Sequence, residues 1–195
     1  MDSDIKAKDK TDTADEQENS GSVSLMVFGW LDTLIPAIAI IGLIMTFFFR
    51  TVTVSGTSMT DTLQNNDKLI LSTFNYNPQY GDIVVVSHAN SYSEPLIKRI
   101  IATEGQSLKI NYSTGEVAVD GVILDEEYIK GTTIRLRNPM NIPEIIPEGY
   151  VFVMGDNREG SLDSRSNEIG LIPVENIIGK AVFRFYPLEK SGIVQ

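Results

Sequence analysis

From Thr33 to Phe49 the chain runs for 17 residues without a charge, almost all of them apolar. Extending the segment back to Val23 adds a single charge, Asp32. A helix that crosses a bilayer needs about 20 mainly apolar residues. Ile, Leu, Phe and Met fall on every face of such a helix, which suits lipid, whereas a core helix of a soluble domain is apolar on one stripe. Residues 23–49 are therefore expected to form a transmembrane anchor, with Trp30 near one interface and Pro36 and Gly42 tolerated within the span. The apolar run exceeds the roughly 7–15 residues of a cleavable leader, and no A-x-A follows it, so the anchor is expected to stay attached.

Charge is distributed unevenly around this anchor. The 195 residues carry a formal net charge of −10. Residues 1–22 hold three Lys against seven Asp and Glu and almost no large apolar side chain. Such a segment buries too little apolar surface to offset its ordering entropy, and a disordered acidic tail is expected there. Lys6, Lys8 and Lys10 precede the span and Arg50 and Lys68 follow it. This weak bias places the tail in the cytoplasm and residues 50–195 on the extracytoplasmic side. Net acidity excludes a nucleic-acid partner, which calls for a basic face. The absence of cysteine excludes disulfides, thiolate nucleophiles and thiolate metal sites.

Beyond Thr51 the sequence reads as β. Short runs rich in β-branched and aromatic residues occur at 68–72, 82–87, 95–102, 107–111, 116–120, 149–154 and 180–186. Turn residues separate them, among them Asp120-Gly121 inside Val117–Leu124, a hairpin signal. Seven or more short strands without helical periodicity predict a mainly β, mostly antiparallel, barrel-like domain over residues 50–195.

Three stretches carry candidate chemistry. Histidine chemistry is restricted to His88, which lies in a polar loop, so a hydrolytic site needs another base. A lysine serves if burial lowers its pKa from about 10.4 toward neutrality. Lys98 and Arg99 sit inside Leu96-Ile97-Lys98-Arg99-Ile100-Ile101, and alternation sends them to opposite faces of a strand. Lys98 is then either desolvated or snorkelling from an edge strand. Val54–Leu63 is a loop rich in Ser and Thr, in which Gly56 permits a tight backbone path and Ser58 is a candidate nucleophile. Gly155–Arg165 is a dense polar loop with two Asp and two Arg. A calcium loop is disfavoured because Arg158 occupies an expected ligand position.

Together these stretches resemble the type I signal peptidases, membrane-anchored serine peptidases with a Ser/Lys dyad. The pattern S-M-x-P-T-L is similar to Ser58–Leu63, R-G-D-I-V-V to Tyr80–Val85, and K-R-[IV]-[IV]-G to Lys98–Ala102. G-D-N-R-x-x-S-x-D-S-R is matched throughout by Gly155–Arg165. Asp61 stands where the family has Pro, and Ala102 where it has Gly. The resemblance implies that Ser58 is the nucleophile, Lys98 the general base and the Ser58 amide an oxyanion donor. Gly56 occupies the position where some relatives carry a second hydroxyl donor. Ser161 matches the serine that orients the lysine amine, while Asp156, Arg158, Asp163 and Arg165 match supporting residues. Met59 is expected to contact substrate or the membrane interface.

The implied substrates are signal peptides of exported preproteins with A-x-A-like sites, cleaved at the bilayer near the secretion translocon, with no metal or cofactor. A non-catalytic relative that binds exported or pilin chains shares the pattern, but both dyad residues are intact. A regulatory Ser/Lys protease of the self-cleaving repressor type is disfavoured by the anchor.

Overall fold

In the computed structural model, which describes residues 29–194, Gly29–Phe48 form one 20-residue helix, α1, long and apolar enough to cross a membrane. Trp30, Ile35, Leu43 and Phe47 are all exposed on it, as expected where lipid is the solvent. The acidic tail at 1–22 and the start of the expected anchor at 23–28 lie outside the described residues. Two compact units divide the chain between Thr46 and Phe47.

The second unit is mainly β. Its strands are β1 (Phe49–Thr53), β2 (Lys68–Ser72), β3 (Ile83–Val86), β4 (Leu96–Ala102), β5 (Leu108–Asn111) and β6 (Glu116–Val119). They continue with β7 (Val122–Ile123), β8 (Tyr150–Met154), β9 (Ile172–Pro173), β10 (Ile177–Tyr186) and β11 (Gly192–Ile193). One sheet runs in the order β1-β2-β10-β3-β4-β8-β9, with β11 added to β10, and β5-β6-β7 form a smaller one. All of these strand pairs are antiparallel, as the sequence predicts. The β6–β7 connection is the expected tight turn, with Asp120 at φ 52° and Gly121 at φ 80°.

β10 is longer than its sequence signal, because Ile177–Gly179 extend it to pair with Val85 and Val86 of β3. The stretch between β7 and β8 holds no strand of its own. Pro139, Pro143 and Pro147 remove backbone donors there, and isolated bridges such as Ser107↔Ile145 and Pro139↔Ser166 tie it down.

β3 and β4 position the site. All four residues of β3 are buried, as are six of the seven in β4. Strands covered on both faces read as continuous apolar runs, and that is the pattern of both apart from Lys98-Arg99. One face of the sheet carries a cluster in which Val54, Met59 and Leu63 pack on Leu69, Leu71, Ile83, Val85 and Ala181. Ile100 belongs to a second cluster with Val84, Val153 and Ile169, and Ile101 to a third with Phe152 and Leu108.

Met59 is 2% exposed within the first cluster. The expected contact with substrate or the membrane interface is therefore corrected: its side chain is core. The reason is local, since the Leu63 amide donates to the Met59 carbonyl at 2.8 Å. This i, i+4 turn lays both side chains on one apolar face.

The closing strand braces that same turn. Arg184 Nη1 donates to Thr62 O at 3.1 Å and to Asp67 Oδ2 at 2.9 Å, while Gln64 N donates to Asp67 Oδ2 at 3.0 Å. Lys190 Nζ, just beyond β10, reaches Gln64 Oε1 at 2.8 Å. Asp67 is buried and Arg184 half-buried, so removing the guanidinium leaves a buried carboxylate without its counter-ion. Arg184→Met is expected to cost about 2 kcal/mol in chemical denaturation of the full chain in detergent, with Arg184→Lys recovering part of the loss.

Candidate active site

The two cations of β4 meet different fates. Alternation sends them to opposite faces, and because both faces are covered each is only 3% exposed. β4 is an interior strand, paired with β3 along one side and with β8 from Arg99 onward along the other. Lys98 lies just before β8 joins, on a stretch paired with β3 alone, yet it is buried, and the snorkelling alternative falls.

Arg99 is fully compensated. Its Nε and Nη2 form a bidentate pair with Asp156 at 2.9 and 2.8 Å, Nη1 donates to Gly81 O at 2.8 Å, and the Tyr128 ring stacks 4.0 Å away. Lys98 makes no ion pair among the described residues: its Nζ lies 2.8 Å from Ser58 Oγ and donates to Ile97 O at 3.1 Å. Desolvation pushes the amine down to about 8, outweighing the opposing pull of Asp163 and Asp156. A lysine with that affinity for protons, in contact with a serine hydroxyl, can take its proton near neutral pH.

Ser58 is held by its backbone. Asn157 N donates to Ser58 O at 3.0 Å and Asn157 Nδ2 to Thr57 O at 3.1 Å. Gly155 makes this approach possible, because a Cβ there would fall 2.4 Å from Ser58 O and 2.3 Å from Ser161 Oγ. The Ser58 amide itself donates to no acceptor among the described residues. Gly56, at φ +94°, reverses the chain ahead of the nucleophile, and its amide donates to Asn65 Oδ1 at 3.0 Å.

The 155–165 loop is a scaffold paired partly within itself, through Asp163 and Arg165, and partly outward, from Asp156 to Arg99 and from Arg158 to Glu126. Asp163 binds Arg165 Nε and Nη2 at 2.8 Å each and accepts from Gly155 N at 3.0 Å. Arg165 also donates to Arg158 O at 2.8 Å and to Ile134 O at 3.0 Å. Arg158 pairs with Glu126 and donates to Thr133 Oγ1 at 2.7 Å. Thr62 Oγ1 reaches Asp156 Oδ2 at 2.5 Å, joining the nucleophile turn to the Arg99 pair. Ser161 Oγ is buried without a hydrogen-bond partner, and the resting bond to Lys98 implied by the resemblance is not formed. Ile97 O occupies the amine instead.

The departures from the family pattern make no contact with the dyad side chains. Asp61 is exposed and pairs with Lys130 at 3.4 Å, and Ala102 is buried among the third cluster's apolar side chains, beyond the dyad. His88 is exposed, touches Ser87 Oγ at 3.0 Å and stands outside the Ser58 cleft. Among the described residues no three His, Cys, Asp or Glu side chains cluster as a metal site.

A cleft of about 550 Å³ opens at the dyad. Val52, Thr53 and Ser55–Ser58 form one wall and Glu94–Lys98 the other, with Gly160 and Leu162 also lining it. Over Leu96–Lys98, before β8 joins, the backbone of β4 is paired on one side only. Sequence reasoning gave no role to Asn157, Arg99 or Arg184. Asn157 lay within a matched motif and Arg99 beside the lysine, while Arg184 had no signal beyond its place in an apolar strand.

The family model for signal peptidases, peptidase S26, matches residues 27–186. A probable signal peptidase I-1 from Synechocystis sp. is 41% identical over 147 residues, covering 69% of this chain and 70% of its own. Signal peptidase I from Bacillus licheniformis is 30% identical over 184 residues, 89% of this chain and 96% of its own. Signal peptidase IB from Staphylococcus aureus is 32% identical over 178 residues, 83% of this chain and 90% of its own. With that match running from the apolar helix to the end of β10, the chain belongs to the signal peptidases, peptidase family S26.

Proposed function

We propose that this peptidase removes signal peptides from exported preproteins by a Ser58/Lys98 dyad. The observation that carries the reading is the 2.8 Å contact between Ser58 Oγ and a lysine amine whose desolvation holds it near neutrality. Neutral Lys98 takes the Ser58 proton as Oγ attacks the scissile carbonyl. The Ser58 amide donates to the oxyanion. Collapse of the tetrahedral intermediate expels the amine of the mature chain, which leaves with the proton held by Lys98. The lysine, neutral again, then activates water to hydrolyse the acyl-enzyme. The unpartnered Ser161 hydroxyl supports a role in steadying the amine once it becomes an ammonium.

The substrate adds as an extended strand along the unpaired edge of Leu96–Lys98. Small residues beside the scissile bond, as in A-x-A sites, suit a cleft whose walls come close to the nucleophile. The apolar helix is the single membrane anchor, with the N-terminus cytoplasmic and residues 50–195 on the extracytoplasmic side, near the secretion translocon. Tethering nucleophile and substrate to one bilayer raises their effective concentration.

Cleavage of a preprotein in detergent tests the dyad. Ser58→Ala and Lys98→Ala are expected to abolish product, and Lys98→Arg likewise, because guanidinium does not deprotonate at working pH. Near wild-type turnover by any of them overturns the assignment. In the wild type, kcat/KM should climb about tenfold per pH unit below an apparent pKa of about 8 and level off above it.

Stability gives an independent reading of the same group. The folded pKa of Lys98 lies below the unfolded value, so the charged form penalises folding at all pH values below about 8. The penalty disappears as pH rises toward 10.5. Lys98→Met is therefore expected to raise unfolding stability by about 3 kcal/mol at pH 7, with the gain shrinking between pH 8 and 10.5. For topology, protease added to intact cells should digest residues 51–195 and spare the tail.

A further inference from the structure

Lys98 and Glu94 are the two ionisable cations and carboxylates that line the catalytic cleft. The working base is neutral, so in the reactive state Glu94 is the cleft's one formal charge. It is exposed and forms no ion pair among the described residues. The segment that carries it is fastened at its base. Ala89 and Tyr92 exchange backbone hydrogen bonds of 2.9 and 2.8 Å, Ser91 N donates to Glu168 O at 3.1 Å, and Asn90 Nδ2 donates to Asn167 O at 2.6 Å. Pro95 then fixes the entry into β4.

We propose that Glu94 is a specificity-determining residue that favours a basic side chain four or five residues to the amino side of the scissile bond. Four residues separate Glu94 from Lys98, and an extended substrate beside β4 advances at the same rate of about 3.3 Å per residue. Most of the cleft's lining comes from the segments that lead into each member of the dyad, Val52, Thr53 and Ser55–Thr57 on one side and Glu94–Ile97 on the other, with Val85, Gly160 and Leu162 added. The cleft therefore holds one half of the substrate, and the acyl half is the one that must stay bound until water attacks. Signal peptides with Lys or Arg at that distance gain an attractive partner, and those with Asp or Glu meet an unpaired like charge. The inference rests on the peptidase reading above.

The test is kcat/KM for the full-length enzyme in detergent on peptides that share one A-x-A site. Gln, Lys or Glu is placed in turn at the sixth, fifth, fourth and second residues before the scissile bond and at the first three after it, with both Ala of the site kept. The Gln peptide is the reference that reports the peptidase reading by itself. Exposed charge pairs are worth up to about 1 kcal/mol, so Lys is expected to exceed Glu by about three- to tenfold at the fourth or fifth residue before the bond. The preference should vanish in Glu94→Gln, reverse in Glu94→Lys and collapse at about 1 M salt, where the Debye length is about 3 Å. Glu175→Gln makes the same change of net charge on an exposed turn outside the cleft and should keep the preference. Cleavage of the reference with no charge preference, or a preference that survives Glu94→Gln, overturns the role of Glu94 and leaves the peptidase reading standing. Failure to cleave any peptide overturns both.

Discussion

The site depends on a cation that is buried without a counter-ion. β4 is covered on both faces, so Lys98 and Arg99 both lose their water, and the surroundings resolve the two cases in opposite ways. Arg99 cannot deprotonate and must be paired, and Asp156 takes it in a bidentate grip. Because that carboxylate is committed, Lys98 is left with a hydroxyl and a carbonyl. An amine can shed its charge where a guanidinium cannot. The strand thus lowers the proton affinity of its amine by giving the stronger cation the carboxylate.

The same bookkeeping explains the density of charge behind the dyad. Arg99–Asp156, Arg165–Asp163 and Arg158–Glu126 are buried pairs, and their further donors reach backbone carbonyls or Thr133, except Arg158 Nε, which is buried without a partner. Buried pairs of this kind add little net stability over apolar packing, yet they fix geometry, since either partner alone is costly. Here they fix the loop whose Asn157 and Gly155 touch the Ser58 backbone. From the other side, Arg184 and Lys190 hold residues 62–67. The nucleophile is clamped between two scaffolds that meet at Thr62 and Asp156.

Much of this was legible in the sequence because local patterns determine it. The 17-residue uncharged run, the β-branched stretches, the Asp-Gly turn and the alternation of Lys98 and Arg99 each depend on near neighbours. What escaped depends on chain segments far apart. The burial of Met59 follows from its turn being folded onto β2 and β10. The grip of Arg184 on Thr62 crosses more than a hundred residues, and nothing beside Arg184 in the sequence marks it. The three residues 177–179 that lengthen β10 are strand because β3 offers them a partner. Ser161 shows the limit of motif transfer: its position matches, but its hydroxyl at rest is unpaired and the lysine donates to Ile97 O.

On the proposed mechanism, Gly56 offers no hydroxyl, and stabilisation of the oxyanion falls to the backbone. An oxyanion hole that loses one side-chain donor commonly forfeits about 3 kcal/mol of barrier lowering. With Gly56 bonded to Asn65, the Ser58 amide is among the donors the turn leaves without an acceptor among the described residues. A single amide is effective only if its direction is fixed before the reaction, because reorientation during the step would consume the advantage. Its direction is set by the Asn157 bonds to Ser58 O and Thr57 O, which in turn require the bare Cα of Gly155. On the proposed mechanism, the oxyanion meets peptide planes held rigid on either side of Ser58, and the polar loop behind the dyad supplies that rigidity.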